Sequence, residues 1–267
     1  MGILEQEMKR LAQQAGGSHK TVHDRIKLAQ RFCERLVLAQ NVQIRRVEQL
    51  KTRHIEGYIR ERLAQSERLN NRSLGLSGAS RNGTKLAITP EHYCDVLETA
   101  RVKDPGIAAA LELSRLMGLR SQEAVQSVQS LKTWRQALDR GDTRLTVVFG
   151  TKGGRPRETV ILDAGAVKKA LDNALAVAED RHGRLIDKLD LKSAMKYWHS
   201  QASRLGLTGA YSPHSLRYAW AQDAISHYLA QGFCEKEALA MTAMDLGHGD
   251  GRGRYVAQVY GRKHGAD

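Results

Sequence analysis

The chain is 267 residues long and carries 42 Lys and Arg against 29 Asp and Glu, a formal net charge of +13. That length suits one large domain or two unequal ones. An excess of cations on this scale favours a polyanionic partner, nucleic acid ahead of an anionic membrane surface. No apolar run approaches the roughly 18 residues a spanning helix requires, so no membrane partner is expected. Glu5 and Glu7 near the start disagree with a secretory signal. Cys33, Cys94 and Cys234 are odd in number and in no metal-like spacing, as in a reduced cytosolic protein.

Leu4, Met8 and Leu11 recur at helical spacing until Gly16-Gly17 interrupts them. From Ser18, a plausible N-cap, a second helix is expected to about Gln40, with Val22, Ile26, Ala29, Phe32 and Leu36 as its apolar stripe. His19 and His23 lie four apart but lack a third ligand nearby, so no metal site is read there. A third helix follows Leu50-Lys51-Thr52, with Ile55, Tyr58, Ile59 and Leu63 as its expected buried face. Lys20, Arg25, Lys27 and Arg31, then Arg53, give these helices a surface suited to tracking phosphates. Residues 71–84, rich in Asn, Ser and Gly, read as a linker between a short helical domain (1–70) and a larger one (85–267).

In the larger domain Thr89-Pro90-Glu91 is a helix start, and a further helix runs from about Pro105 to Gly118. Helix restarts at Ser121. The period then switches to two in Leu145–Phe149 and Glu158–Leu162, on either side of a Gly-rich basic turn, which predicts a β-hairpin. Helices are expected over about 164–181, 191–205, 215–231 and 235–246, with Ser212 capping the third and Pro213 in its first turn. The fold class is mainly α with one small β-hairpin.

Four stretches stand out: Gly118-Leu119-Arg120-Ser121-Gln122-Glu123, Thr151-Lys152-Gly153-Gly154-Arg155, His214-Ser215-Leu216-Arg217, and Leu246-Gly247-His248 followed by Tyr260. In order, spacing and local structure this set resembles the catalytic domain of tyrosine recombinases, the phage-type integrase family. The resemblance covers about residues 87–262. Residues 18–65 are similar, on weaker grounds, to that family's helical, SAM-like core-binding domain, here abbreviated after Gln65.

The resemblance implies a site-specific recombinase acting as a homo-tetramer on double-stranded DNA, with DNA-bending accessory factors, in the bacterial cytoplasm at the nucleoid. It names Arg120, Lys152, His214, Arg217, His248 and Tyr260 as the catalytic set. The chemistry asks for such residues independently. Breaking a phosphodiester with no metal or other cofactor needs a nucleophile, cover for the charge of a pentavalent phosphorane, and a proton for the leaving 5′-oxygen. Two guanidiniums can fork onto non-bridging oxygens as Lys cannot. By the family's position for lysine, Lys152 is the acid. Tyr260 is the nucleophile, forming a 3′-phosphotyrosyl link that makes ATP unnecessary, and the histidines orient or deprotonate it. Glu123 is expected to buttress the site, and Arg155 and Arg157 to bind DNA from the turn. Tyr255 is a second candidate nucleophile, since Tyr260 lies further past His248 than the family's usual spacing. Two other readings remain open: a decayed, non-catalytic DNA-binding protein, and a type IB topoisomerase-like DNA-relaxing enzyme.

Overall fold

The computed structural model describes residues 2–17, 19–38, 44–65, 85–249 and 251–261. The chain divides into two compact units, Met1–Ser80 and Arg81–Asp267. The segment expected as a linker, 71–84, lies outside the described residues.

In the first unit α1 (Ile3–Gln14) packs along α2 (His19–Leu38), and α3 (Thr52–Ala64) packs on α2. The chain reaches α3 through a short 3₁₀ turn, Val47–Gln49, whose first N–H donates to the Glu7 carboxylate at 2.9 Å. Burial is modest. One cluster gathers Leu4, Cys33 and Ile44, and a second gathers Phe32, Leu36 and Tyr58, with Phe32 and Tyr58 meeting edge to face at 5.3 Å. An Arg35–Glu61 ion pair ties α2 to α3. The face expected to be buried on α3 is not. Tyr58 is, but Ile55, Ile59 and Leu63 are exposed. The helix turns His54 and Tyr58 inward instead, one position round from the aliphatic stripe. His54 holds that orientation by accepting the Lys51 N–H at 3.0 Å.

The second unit is a helical body with one hairpin. Its α4 (Pro90–Lys103) starts where the Thr89 hydroxyl accepts the His92 N–H. Asp104 ends α4 and opens α5 (Pro105–Met117) by accepting the N–H groups of Gly106 and Ile107. Gly118 closes α5 with φ of +62°, and a Cβ there would sit 2.5 Å from the Trp220 ring. Only glycine meets both demands. A short α6 (Ser121–Val125) and α7 (Leu131–Asp139) lead into β1 (Arg144–Val147), paired antiparallel with β2 (Arg157–Val160). The register sets Arg144 opposite Val160 and Val147 opposite Arg157. Then come α8 (Ala164–Asp180), α9 (Leu191–Arg204), α10 (His214–Ala230), α11 (Glu235–Asp245) and α12 (Gly253–Tyr260).

A single hydrophobic core runs through this unit from Ala87 to Tyr260. At its centre α10 is buried on every side over Ser215–Ala221, with Leu216, Trp220 and Ala221 fully enclosed, and Ala224 continues the inward stripe. Two helices had no counterpart in the sequence reading, α7 and α12. At the start of α10 the helix begins at His214 with Pro213 in the cap position, and Ser212 makes no capping bond with its side chain.

Candidate active site

The site forms where the C-termini of α5 and α11 meet the N-termini of α6 and α10. A helix C-terminus leaves carbonyls unpaired and carries the negative end of the dipole, so guanidiniums fit there. Arg217, one turn into α10 and fully buried, donates through Nη1 to the Gly118 carbonyl and through Nη2 to the Leu246 carbonyl. Arg120 donates through Nη2 to the same Leu246 carbonyl at 2.8 Å. Two arginines 97 positions apart (217 − 120) thus converge on one backbone oxygen. The Nε of Arg217 is buried and has no hydrogen-bond partner among the described residues. An unpaired charged donor held in a protein interior is what an anion would satisfy.

Glu123 organises this pair. Its carboxylate accepts the Arg120 backbone N–H at 2.8 Å, which starts α6, and the Arg120 Nη1 at 2.7 Å. From the other side it takes a two-pronged contact from Arg157, at 3.1 and 2.7 Å. Burial alone would raise the Glu123 pKa. Hydrogen bonding and charge from Arg157, with the charge of Arg217 and the Arg120 N–H, outweigh it and bring the value to about 2. Burial in turn lowers Arg217 to about 10, with the Tyr260 phenol acting in the opposite direction and the neighbouring arginines adding to the fall.

Tyr260 is the last residue of α12. It is buried, its ring 4.6 Å from Tyr218 and its phenol oxygen 3.0 Å from His248 Nε2. The Gln222 side chain donates to the Tyr260 carbonyl at 3.0 Å and latches the end of α12 to α10. His248 follows Gly247, whose φ of +70° turns the chain out of α11. Burial, then the charges of Arg217 and Arg120, lower His248 to about 3 and His214 to about 4. Both imidazoles are therefore neutral at pH 7, and His248 can offer Nε2 as acceptor to the phenol proton.

Arg120, Lys152, His214, His248 and Tyr260 all line one open hollow of about 980 Å³, with Arg155 and Arg157 at its hairpin side. Lys152 sits exposed in the turn between β1 and β2. Tyr255 lines the same hollow, half-exposed, its ring edge-on to His248 at 4.8 Å. Of the six residues named as catalytic, Arg217 alone is walled off beneath the hollow. Arg155 is exposed beside Lys152. Arg157, expected to contact DNA, is instead 6% exposed and committed to Glu123 and to the carbonyls of Asp245 and Gly118. Arg157 is the first residue of β2, on the face it shares with buried Thr159 and opposite buried Val147, whereas Arg155 precedes the strand at the end of the turn.

Arg25, Lys27, Arg31 and Arg53 lie exposed on the first unit, Arg25 donating to the Gly16 carbonyl at 2.6 Å. Lys20 falls within α2, its side chain outside the described residues. Sequence reasoning missed Asp245, which is buried, accepts from Tyr228 at 2.6 Å and pairs with Arg144, so that α11 is tied to α10 and β1 just before the Leu246 carbonyl. The nearest signal was a lone acid next to Leu246-Gly247-His248. No group of residues able to hold a metal occurs among the described residues, and no helix among them is long and apolar enough to cross a membrane.

Two family models match the chain. One, described as Integrase, spans residues 75–223, more than half of the sequence. The other, described as Phage integrase, N-terminal, spans residues 1–78. The Integrase match takes in Arg120, Lys152, His214 and Arg217 and stops before His248 and Tyr260. No curated protein matches the chain. Among solved structures it is similar to XerA recombinase, at 14% identity and a TM-score of 0.44 over 98% of this chain and 94% of that one. It is also similar to XerH site-specific recombinase bound to palindromic difH substrate in a post-cleavage complex, at 14% identity and a TM-score of 0.49 over 94% and 80%. These likenesses are distant, and the family assignment rests on the two sequence models.

Proposed function

The chain belongs to the phage-type integrase family of tyrosine recombinases, and from that premise we propose that it is an active site-specific recombinase. It breaks and rejoins double-stranded DNA through a 3′-phosphotyrosyl intermediate. The observation that carries this reading is the meeting of Arg120 and Arg217 on the Leu246 carbonyl, beside a Tyr260 phenol hydrogen-bonded to His248.

Each guanidinium keeps N–H donors beyond those used on carbonyls, and these supply the cover for a phosphorane's equatorial oxygens. Tyr260 Oη attacks phosphorus while its proton passes to His248 Nε2. The bond from phosphorus to the 5′-oxygen breaks, and that oxygen takes a proton from Lys152. A phosphate in the hollow adds negative charge that offsets the two arginines and raises the basicity of His248, so the base strengthens when substrate arrives. Rejoining runs the same steps backwards and consumes no nucleotide.

The enzyme works as a homo-tetramer on paired sites, since exchange of two duplexes needs four nucleophiles. DNA-bending accessory factors assist it. Residues 1–70 form an abbreviated DNA-binding domain whose exposed Arg25, Lys27, Arg31 and Arg53 contact phosphates.

The test is covalent trapping on nicked suicide duplexes drawn from a pool of candidate sites. The unsubstituted chain should form a DNA-linked band that Tyr260→Phe abolishes and Tyr255→Phe retains. No band from any duplex would leave a DNA-binding protein without chemistry. Sequence-independent relaxation of a plasmid by a monomer would instead indicate a topoisomerase-like activity.

A further inference from the structure

Arg157 is a buried cation with more donors committed than any other side chain near the hollow, and the recombination chemistry does not use it. Resting on the recombinase reading above, we infer that Arg157 is a positioning residue for strand cleavage. It fixes Glu123 and the ends of α5 and α11 so that Arg120 and Arg217 face the same phosphate.

Its donors reach three elements. Nε and Nη2 grip the Glu123 carboxylate at 3.1 and 2.7 Å, Nη2 also reaches the Gly118 carbonyl at 3.2 Å, and Nη1 donates to the Asp245 carbonyl. Every one of these acceptors lies one step from a catalytic guanidinium. Glu123 holds Arg120 by both its backbone N–H and its side chain. The Gly118 carbonyl also receives Arg217 Nη1. Asp245 directly precedes Leu246, whose carbonyl takes both catalytic arginines.

The side chain is 3% exposed, so it cannot approach DNA without releasing these partners. Its stem lies under the turn that carries His248: a Cβ on Gly247 would come within 2.9 Å of Arg157 Cδ. Lysine offers one point charge where this place calls for a planar fork with donors in several directions. Arg157 and Arg120 thus clamp the two faces of one carboxylate; both border the hollow, but every side-chain nitrogen of Arg157 is committed to a protein acceptor.

The experiment uses the full chain and the nicked suicide duplexes of the trapping assay, with Arg157→Met, Arg157→Lys, Glu123→Gln and the Arg157→Met/Glu123→Gln pair. Arg157→Met should lower the trapping rate at saturating duplex by about 10²-fold, a loss of the size seen for one preorganised donor. Affinity for the same duplex should stay within about threefold, and its dependence on log salt should keep its slope. Arg157→Lys should recover little of the rate. In the Glu123→Gln background Arg157→Met should cost far less than alone, as expected for two residues acting as a unit.

A salt slope shallower by about 0.9 would mark Arg157 as a phosphate contact and overturn the inference. So would a trapping rate within twofold of the unsubstituted chain, or losses that multiply in full in the double variant. Should Arg157→Met fail to fold, Arg157→Lys decides; loss of DNA binding and of cooperative melting there too means a scaffold role only, and the inference falls. A chain that traps no duplex before any substitution fails the recombinase reading and this inference with it, whereas normal trapping by Arg157→Met sinks this inference alone.

Discussion

The two units treat charge in opposite ways. In the second, arginines are built into the core: Arg217 and Arg157 are buried in a hydrophobic body that runs from Ala87 to Tyr260, and backbone carbonyls at helix ends receive them. In the first, Arg25, Lys27, Arg31 and Arg53 stay on the surface over two small apolar clusters. Buried charge anchored by hydrogen bonds fixes geometry; exposed charge supplies only a field. Catalysis needs the former and DNA affinity the latter, so substitutions in the two units should separate rate from binding.

The largest separation comes from removing a guanidinium at each place. Arg120→Ala should lower the trapping rate at saturating DNA by 10²–10³, about 3–4 kcal/mol of barrier. Arg25→Ala or Lys27→Ala should leave that rate within twofold and reduce the salt slope of binding by about 0.9 per phosphate lost. Comparing affinity for one fixed duplex with and without residues 1–70 extends the test. Equal affinities would show that the first unit is not a DNA-binding domain.

Stability should divide along the same line. Trp220, fully buried beside Gly118, should cost about 3–5 kcal/mol when cut to Ala, read as an earlier transition of the second unit in urea. Phe32→Ala removes one of the three buried side chains of its cluster. A loss of similar size in so small a core should melt the first unit at 25 °C, because small domains hold little stability in reserve. Circular dichroism in urea would then show two transitions in the unsubstituted chain and one in Phe32→Ala.

Much of this was legible in the sequence because it rests on local chemistry. Thr89-Pro90, Pro105 and Gly118 mark helix ends through backbone requirements that no tertiary context changes. The turn from Gly150 to Pro156 announced its hairpin through composition and a change of period. What was not legible depends on which atoms face which. Arg155 and Arg157 look alike as text, yet the first ends the turn in solvent and the second opens β2 on its core face, under Gly247. On α3 the aliphatic spacing was right and the facing wrong, since His54 and Tyr58 took the inward side. Helix α7 had a signal in Leu131, Trp134 and Leu138 that was passed over. Helix α12 is short and follows a run of glycines, so its helical form depends on the seat that α10 and α11 provide.

Acid should unsettle the second unit in two windows. His214 and His248 have folded values near 4 and 3, below the ordinary 6.5. Unfolded imidazoles thus bind protons that folded ones refuse, and stability falls as pH drops from about 6.5 toward 4. The limiting slope is about 1.4 kcal/mol per pH unit for each fully engaged imidazole, and it is smaller for the partly exposed His248 because solvent screens it. Glu123 follows lower down, its contribution present above 4.5 and lost as pH approaches 2. Urea midpoints at pH 7, 5.5 and 4.5 should decline, and His248→Asn should flatten that decline. An unchanged slope in the variant would mean the imidazole is not held neutral.

The smallest expected effect tests the facing of α3. Ile55 is 48% exposed and Ile59 37% exposed, so neither loses much contact with the core when made polar. Substitution of either with Gln should change the stability of the first unit by no more than about 0.5 kcal/mol, the usual range for exposed sites. Tyr58→Ala, on the adjoining inward face of the same helix and in edge contact with Phe32, should cost several times more. Aliphatic spacing alone predicts the reverse order. A large loss from Ile59→Gln, with little from Tyr58→Ala, would mean that α3 presents its aliphatic stripe to the core and that the imidazole and phenol face solvent. The surface on which Arg53 sits would rotate with them, and its assignment to the DNA-facing side of the first unit would no longer hold.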